Sequence, residues 1–212
     1  THWVSENYPV NRCAYPGDLD ADGDMDVVAS NSAGTAGNMG IEWWRNEDGI
    51  GDSWTRFYVD DEYGNPGFAC CADINGDDTL EVVAPSRTSP YEIAWWESST
   101  EPPDSVWEKH VVSSSSRQGW ELFPVDLDLD GDMDILSGCQ WSDGLSFWEN
   151  TDSVGLSWTG HSIGNEQNVR SVHAADLDGD GDYDVVCCVM DELKVSWFEN
   201  LDGSCTNWEE HV

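Results

Sequence analysis

The sequence predicts an all-β repeat fold made from four copies of one four-stranded unit. Three observations predict it. The acidic pattern D-x-D-x-D-G-D-x-D recurs in near-copies starting at Asp18, Asp73, Asp126 and Asp176, which lie 55, 53 and 50 residues apart, a period typical of repeat architectures. Each copy runs into a short apolar segment, namely Val27-Val28-Ala29, Val82-Val83-Ala84, Ile135-Leu136 or Val185-Val186. An aromatic pair and a W-x-x-H/F-x-V/I segment then follow in each unit, and Gly, Asp, Ser and Pro fill the links. Short strands at even spacing are the all-β signature, and no helix is predicted.

The elements of each unit follow in order. A first strand precedes the acidic loop, near 11–17, 67–72, 119–125 and 169–175. A second follows it at 26–30, 81–85, 134–138 and 184–189. The third carries the aromatic pair: Ile41 to Arg45, Ile93 to Glu97, Leu145 to Glu149 and Val195 to Glu199. The fourth runs from Trp54 to Val59, Trp107 to Val112, Trp158 to Ile163 and Trp208 to Val212. The units therefore occupy about 10–59, 66–112, 119–163 and 169–212 of a single domain spanning 1–212. Thr1-His2-Trp3-Val4 resembles Lys109-His110-Val111-Val112 and reads as an extra outer strand over 1–4. A surplus strand can cap a neighbour or complete a sheet of another copy by strand addition.

Carboxylates at positions 1, 3, 5 and 9 of a nine-residue loop, with Gly at 6, turn hard oxygens inward. Such a set suits calcium, which takes six to eight oxygens in flexible geometry. The candidate ligand positions are Asp18, Asp20, Asp22, Asp24 and Asp26; Asp73, Asn75, Asp77, Thr79 and Glu81; Asp126, Asp128, Asp130, Asp132 and Asp134; and Asp176, Asp178, Asp180, Asp182 and Asp184. Position 7 is expected to use its backbone carbonyl. The second loop has Asn75 at position 3 and Asp78 where Gly is expected, so it should be the weakest site. An EF-hand is excluded, because its twelve-residue loop ends in a Glu between helices, whereas position 12 here is Ala29, Ala84, Ser137 or Cys187.

The four loops, each trailed by a strand and then by Trp-Trp-Glu or Trp-Phe-Glu-Asn, resemble the FG-GAP/VCBS repeats of calcium-bearing β-propellers, including the integrin alpha-subunit propeller. The resemblance covers essentially the whole chain. It implies a propeller of four four-stranded blades, with a calcium loop between the first and second strands of each and about four Ca2+ in all. It also implies that ligands gather on the face opposite the calcium loops. Arg12, Arg87, Tyr91, Arg117, Trp120, Gln140, Trp141, Asn168 and Arg170 fall there, and Arg12, Arg87, Trp120, Trp141 and Arg170 are the ligand-binding candidates.

Composition narrows the function. The 43 acidic and 8 basic residues give a formal charge of −35, and four divalent ions would leave it strongly negative. Nucleic acid and anionic membranes are thereby excluded as partners. No apolar run is long enough to span a bilayer. No signal peptide is visible at Thr1, as expected of a mature or trimmed form. Loops of this kind fill at extracellular calcium levels, so the chain is expected outside cells or on their surface. The seven cysteines (13, 70, 71, 139, 187, 188 and 205) show no CxxC or Cys/His metal spacing. They read as core thiols, with one or two disulfides as the alternative in an oxidising compartment.

Ten of the 13 Trp fall in the repeated third- and fourth-strand positions and read as packing. Trp3, Trp120 and Trp141 lie outside the template and are candidates for a binding surface. His2, His110, His161 and His211 occupy a repeated slot, so they read as structural; His173 alone lies on an inner strand. No H-E-x-x-H, G-x-S-x-G or phosphate-cradling glycine loop occurs. The expected function is non-catalytic recognition of a glycan or protein, with self-assembly into an oligomer or fibre through terminal strands as the alternative. A polysaccharide lyase resting on His173, Tyr15 and the arginines is the distant third.

Overall fold

A computed structural model describes residues 3–4, 11–31, 40–98, 106–114, 119–140 and 144–212. Every regular element among them is a β-strand. The sixteen strands form four antiparallel sheets, each of four strands in chain order. The first holds β1 (Asn11–Gly17), β2 (Asp26–Asn31), β3 (Gly40–Asn46) and β4 (Trp54–Asp60). The second holds β5 (Cys70–Ala72), β6 (Glu81–Pro85), β7 (Ile93–Ser98) and β8 (Trp107–Ser113). The third holds β9 (Gly119–Val125), β10 (Asp134–Cys139), β11 (Leu145–Asn150) and β12 (Trp158–Gly164). The fourth holds β13 (Val169–Ala175), β14 (Asp184–Val189), β15 (Lys194–Asn200) and β16 (Trp208–His211). The strand β5 is shorter than the sequence suggests. Just before it, Gly67 N donates to Pro85 O and Phe68 N to Trp120 O, each at 2.8 Å, so this stretch bridges to the third sheet.

Side chains alternate between the two faces of a strand, and here both faces are needed. The first aromatic of each pair (Trp43, Trp95, Phe147) joins a core shared with the following sheet. The second (Trp96, Trp148, Phe198) packs toward the preceding one. A two-sided apolar requirement explains why the middle strands are continuous Val, Ile and Trp runs rather than half-polar alternations. Three apolar cores result, between sheets one and two, two and three, and three and four. This is the blade stacking of a propeller. Among the described residues no comparable cluster joins the fourth sheet to the first.

Polar hooks cross the same seams. Trp95 Nε1 donates to Gly155 O at 3.0 Å, Asn150 Nδ2 to Ile74 O at 3.2 Å, and Cys205 Sγ to Leu127 O at 3.4 Å. The repeated histidines are structural, as expected. His110, His161 and His211 pair with Glu97, Glu149 and Glu199 at 2.8, 2.7 and 2.7 Å. Each also stacks on the first aromatic of its blade, Trp95, Phe147 or Trp197. In the first blade Phe57 takes the slot and stacks on Trp43, with Arg45 in place of the glutamate lying over it.

All seven cysteines are free thiols, and five of them are buried. Burial pushes the thiols of Cys71, Cys187 and Cys205 up to about 12, which leaves them protonated and inert. Of the segment 1–4, Trp3 and Val4 are described and belong to no strand; Thr1 and His2 lie outside the described residues.

Candidate metal loops and a guanidinium cage

Each acidic loop links the first two strands of its blade, and its ninth residue is the first of the second strand. Asp26, Glu81, Asp134 and Asp184 at that position are buried. One oxygen of each accepts the backbone N–H of the loop's second residue: Leu19 at 3.2 Å, Ile74 at 2.8 Å, Leu127 at 3.1 Å and Leu177 at 2.9 Å. In three blades the other oxygen accepts the N–H of Asn46, Asn150 or Asn200, at 2.8, 2.8 and 3.0 Å. The ninth carboxylate thus fastens the loop to the third strand. Carboxylates at positions 1, 3 and 5 accept N–H groups further along the loop, for example Asp18 from Asp22 and Gly23 and Asp22 from Asp24. These short reaches need a left-handed residue at position 6: Gly23, Gly131 and Gly181 have φ of +95°, +101° and +105°. Asp78 holds the slot at +68°, a conformation Asp tolerates better than most residues.

Three loops bring three carboxylates within 4.8 Å of one another: Asp18, Asp20 and Asp22; Asp126, Asp128 and Asp134; and Asp176, Asp178 and Asp184. Oxygens left over inside them fit a cation. Oδ1 of Asp20 and of Asp126 is buried without a hydrogen-bond partner among the described residues, and so is that of Asp182, at position 7 beside the last group. Burial and then the neighbouring carboxylates raise Asp20 and Asp182 to about 6. Burial likewise raises Asp134 to about 7. Unpaired buried anions at this density are what a hard divalent ion relieves. The second loop differs: Asn75 Nδ2 and Thr79 Oγ1 both donate to Glu81, and no three carboxylates of that loop converge. A fourth group, Glu97, Glu108 and His110, also lies within that reach, although His110 is already held by Glu97 and Trp95.

At the opposite ends of the inner strands the structure assembles one residue from each blade. Trp120 at the start of β9 is surrounded by Arg12 of β1, Arg87 after β6 and Arg170 of β13. Their guanidinium carbons lie 5.5, 3.4 and 3.7 Å from the ring centroid. Two guanidiniums as near as those of Arg87 and Arg170 cannot share a face, so they sandwich the indole. Nε of all three arginines and Nε1 of Trp120 are buried with no hydrogen-bond partner among the described residues. Arg12 Nη2 donates to Asn65 Oδ1 at 3.1 Å. Burial, then Arg12 and Arg170, pull Arg87 down to about 10, where it is still charged at neutral pH. Asp191 is the acid that acts on Arg170.

Four of the five sequence-predicted ligand residues, Arg12, Arg87, Trp120 and Arg170, are therefore brought together. Trp141 lies outside the described residues, as does Arg117. Asn168 and Gln140 meet at the same end, with Asn168 N donating to Gln140 O at 3.0 Å. His173 packs against Phe123 on the adjacent inner strand, with ring centroids 4.1 Å apart. What sequence reasoning missed is Asn65, whose left-handed backbone (φ +50°) and amide position Arg12; a lone Asn in a link carries no pattern.

Sheets stacked in sequence, each with an acidic loop between its first two strands, define an acidic-loop repeat protein of the propeller class. The model of the FG-GAP-like repeat matches residues 14–84 and 126–187, and the chain belongs to that family. No curated protein matches. Among solved structures, a lectin of Agrocybe aegerita that recognises non-reducing terminal N-acetylglucosamine aligns over 94% of this chain and 51% of its own, at 17% identity and a TM-score of 0.58. The V. cholerae biofilm matrix protein Bap1 aligns over 93% of this chain and 39% of its own, at 17% identity and a TM-score of 0.45. The chain thus spans about half the length of the lectin or less than half that of Bap1. Among the described residues no helix is long and apolar enough to cross a membrane.

Proposed function

We propose that the protein is a calcium-stabilised, non-catalytic recognition module, secreted or displayed at a cell surface, that binds a glycan or protein through the end opposite its metal loops. The convergence of Arg12, Arg87 and Arg170 on Trp120 carries this reading. Four blades contribute to one cluster whose buried donors are not satisfied internally, which is a poor way to stabilise a fold and a good way to hold a ligand. The likeness to a sugar-binding lectin of the same fold supports it. Calcium is supported by the converging carboxylates and their unpaired buried oxygens. The histidines support a non-catalytic role, since the repeated ones are occupied with carboxylates and aromatic rings. The test is Trp120→Ala in a glycan and protein retention screen. Lost retention with an unchanged melting profile supports the reading; unchanged retention refutes it.

A second reading, self-assembly, is favoured by the edge of the fourth blade. The second loop residue is buried in the next blade's core at Leu19 (6% exposed), Ile74 (1%) and Leu127 (0%), but Leu177 is 48% exposed. Trp197 Nε1 is buried with no partner among the described residues, whereas Trp95 in the same slot donates to Gly155 O of the next blade. The fourth blade thus presents a face shaped for another blade. We propose that the first blade of a second copy fills it, with Gly51 O taking the place of Gly155 O. Terminal strand exchange over residues 1–4 is the other joint, and the solution mass of the Trp197→Ala variant separates the two.

A further inference from the structure

The arrangement around Trp120 says what sort of ligand it takes. A sugar platform needs an open aromatic face, against which the C–H groups of a pyranose lie. Here both faces of the indole carry a guanidinium, from Arg87 and Arg170. Neutral sugar stacking is therefore blocked at this ring. What remains is the N–H groups of three guanidiniums held near one another against their mutual repulsion, each with a buried Nε that has no hydrogen-bond partner among the described residues. The matching group is a planar or tetrahedral oxyanion, since the guanidinium fork suits carboxylate and oxyanion geometry.

The net charge of −35 argues against such a ligand, but distance decides the contest. Trp120 and Asp126 lie at opposite ends of β9 (Gly119–Val125), so the cage and its nearest acidic loop are about 20 Å apart at roughly 3.3 Å per residue. Screening at physiological salt acts over about 8 Å. At contact range the loop carboxylates are screened out, and the three arginines are set against Asp191, the acid that acts on Arg170.

We propose that the Trp120 cage binds an anionic group carried on a sugar chain, a carboxylate or a sulfate. The ligand class is then an acidic polysaccharide, a refinement that rests on the recognition reading above. The group would sit among the guanidinium edges of Arg12, Arg87 and Arg170 and lift their mutual repulsion.

The experiment uses the intact chain, saturated with calcium, on immobilised polygalacturonate and a sulfated galactan, with dextran and chito-oligosaccharide as neutral probes. Retention on an acidic polymer alone is expected, weakening with added salt and displaced by inorganic sulfate. Arg87→Gln and Arg170→Gln should each weaken it by about tenfold or more. The uronate and sulfate arms identify which oxyanion is held. If Arg87→Gln lowers the melting point, Arg170→Lys gives the same readout, because it keeps the charge and loses the fork. Acidic-polymer binding that both arginine variants retain would be calcium bridging at the loops and would overturn the site. Retention on neutral probes only, indifferent to the arginines, overturns the anion and leaves the recognition reading standing. No retention on any polymer, or on proteins, overturns both.

Discussion

Asp134→Ala separates two jobs that a metal-loop carboxylate can hold. Asp134 is buried, and its two oxygens accept Leu127 N at 3.1 Å and Asn150 N at 2.8 Å. Alanine leaves two buried N–H groups without partners, at about 1–3 kcal/mol each. The carboxylate's own burial, which lifts it to about 7, is relieved by the same change and trims the loss. A net destabilisation of about 2–4 kcal/mol is expected, and at about 2–4 °C per kcal/mol for a domain of this size the melt should fall by at least about 4 °C. The fall should appear in excess EDTA as well as in calcium. Asp128→Ala is the contrast. Its Oδ1 accepts only Asp130 N, in an exposed turn, so in EDTA it should melt within about 0.5 kcal/mol of the parent and lose only the gain from calcium. Thermal melts of both variants in each condition decide it. If Asp134→Ala matches the parent in EDTA, the ninth carboxylate is a ligand and nothing more, and the reasoning fails.

Other outcomes follow from the same geometry. Excess EDTA should lower the parent's melting temperature markedly, because apposed carboxylates lose their counter-ion; an unchanged melt would sink the metal assignment. Calcium titration by calorimetry should resolve a weaker site at the second loop, and Asn75→Asp with Asp78→Gly should tighten it; uniform sites refute this. Trp95→Ala should cost about 3–5 kcal/mol by emptying a sealed core, and Trp197→Ala less, since that ring is only half-buried; equal losses would mean that the fourth face is covered. Light scattering in calcium should give a mass above the 23.5 kDa chain, and Trp197→Ala should return it to that value; a parent already at 23.5 kDa removes the assembly reading.

Much of the fold was legible because the repeat is written in strong chemistry. The Asp ladders, the paired aromatics and the Trp-to-His spacing each recur in register, and the strand assignments drawn from them match the sixteen strands closely. Two things were not. Which blade edge lies open cannot be read from the fourth repeat, because Leu177, Val186 and Trp197 obey the same template as their buried counterparts. Exposure there depends on what stands opposite, which local sequence does not encode. The arginine cage was only half legible. Propeller geometry placed its residues at one end, but Arg87 and Arg170 closing on both faces of Trp120 depends on the reach of side chains across three blades.

If the loops bind metal as proposed, the hooks between blades give that binding a direction. Asn150 holds the carbonyl of Ile74, and Cys205 that of Leu127, so the second residue of a metal loop is also the docking point for the blade after it. An ion that orders one loop therefore stiffens the seat of its successor. Where the apolar cores join each blade to the next, such a term makes sites communicate in sequence. Filling would spread along the row from one loop to the next, and a single damaged loop would behave as a break in the line, weakening the unit behind it more than the unit ahead.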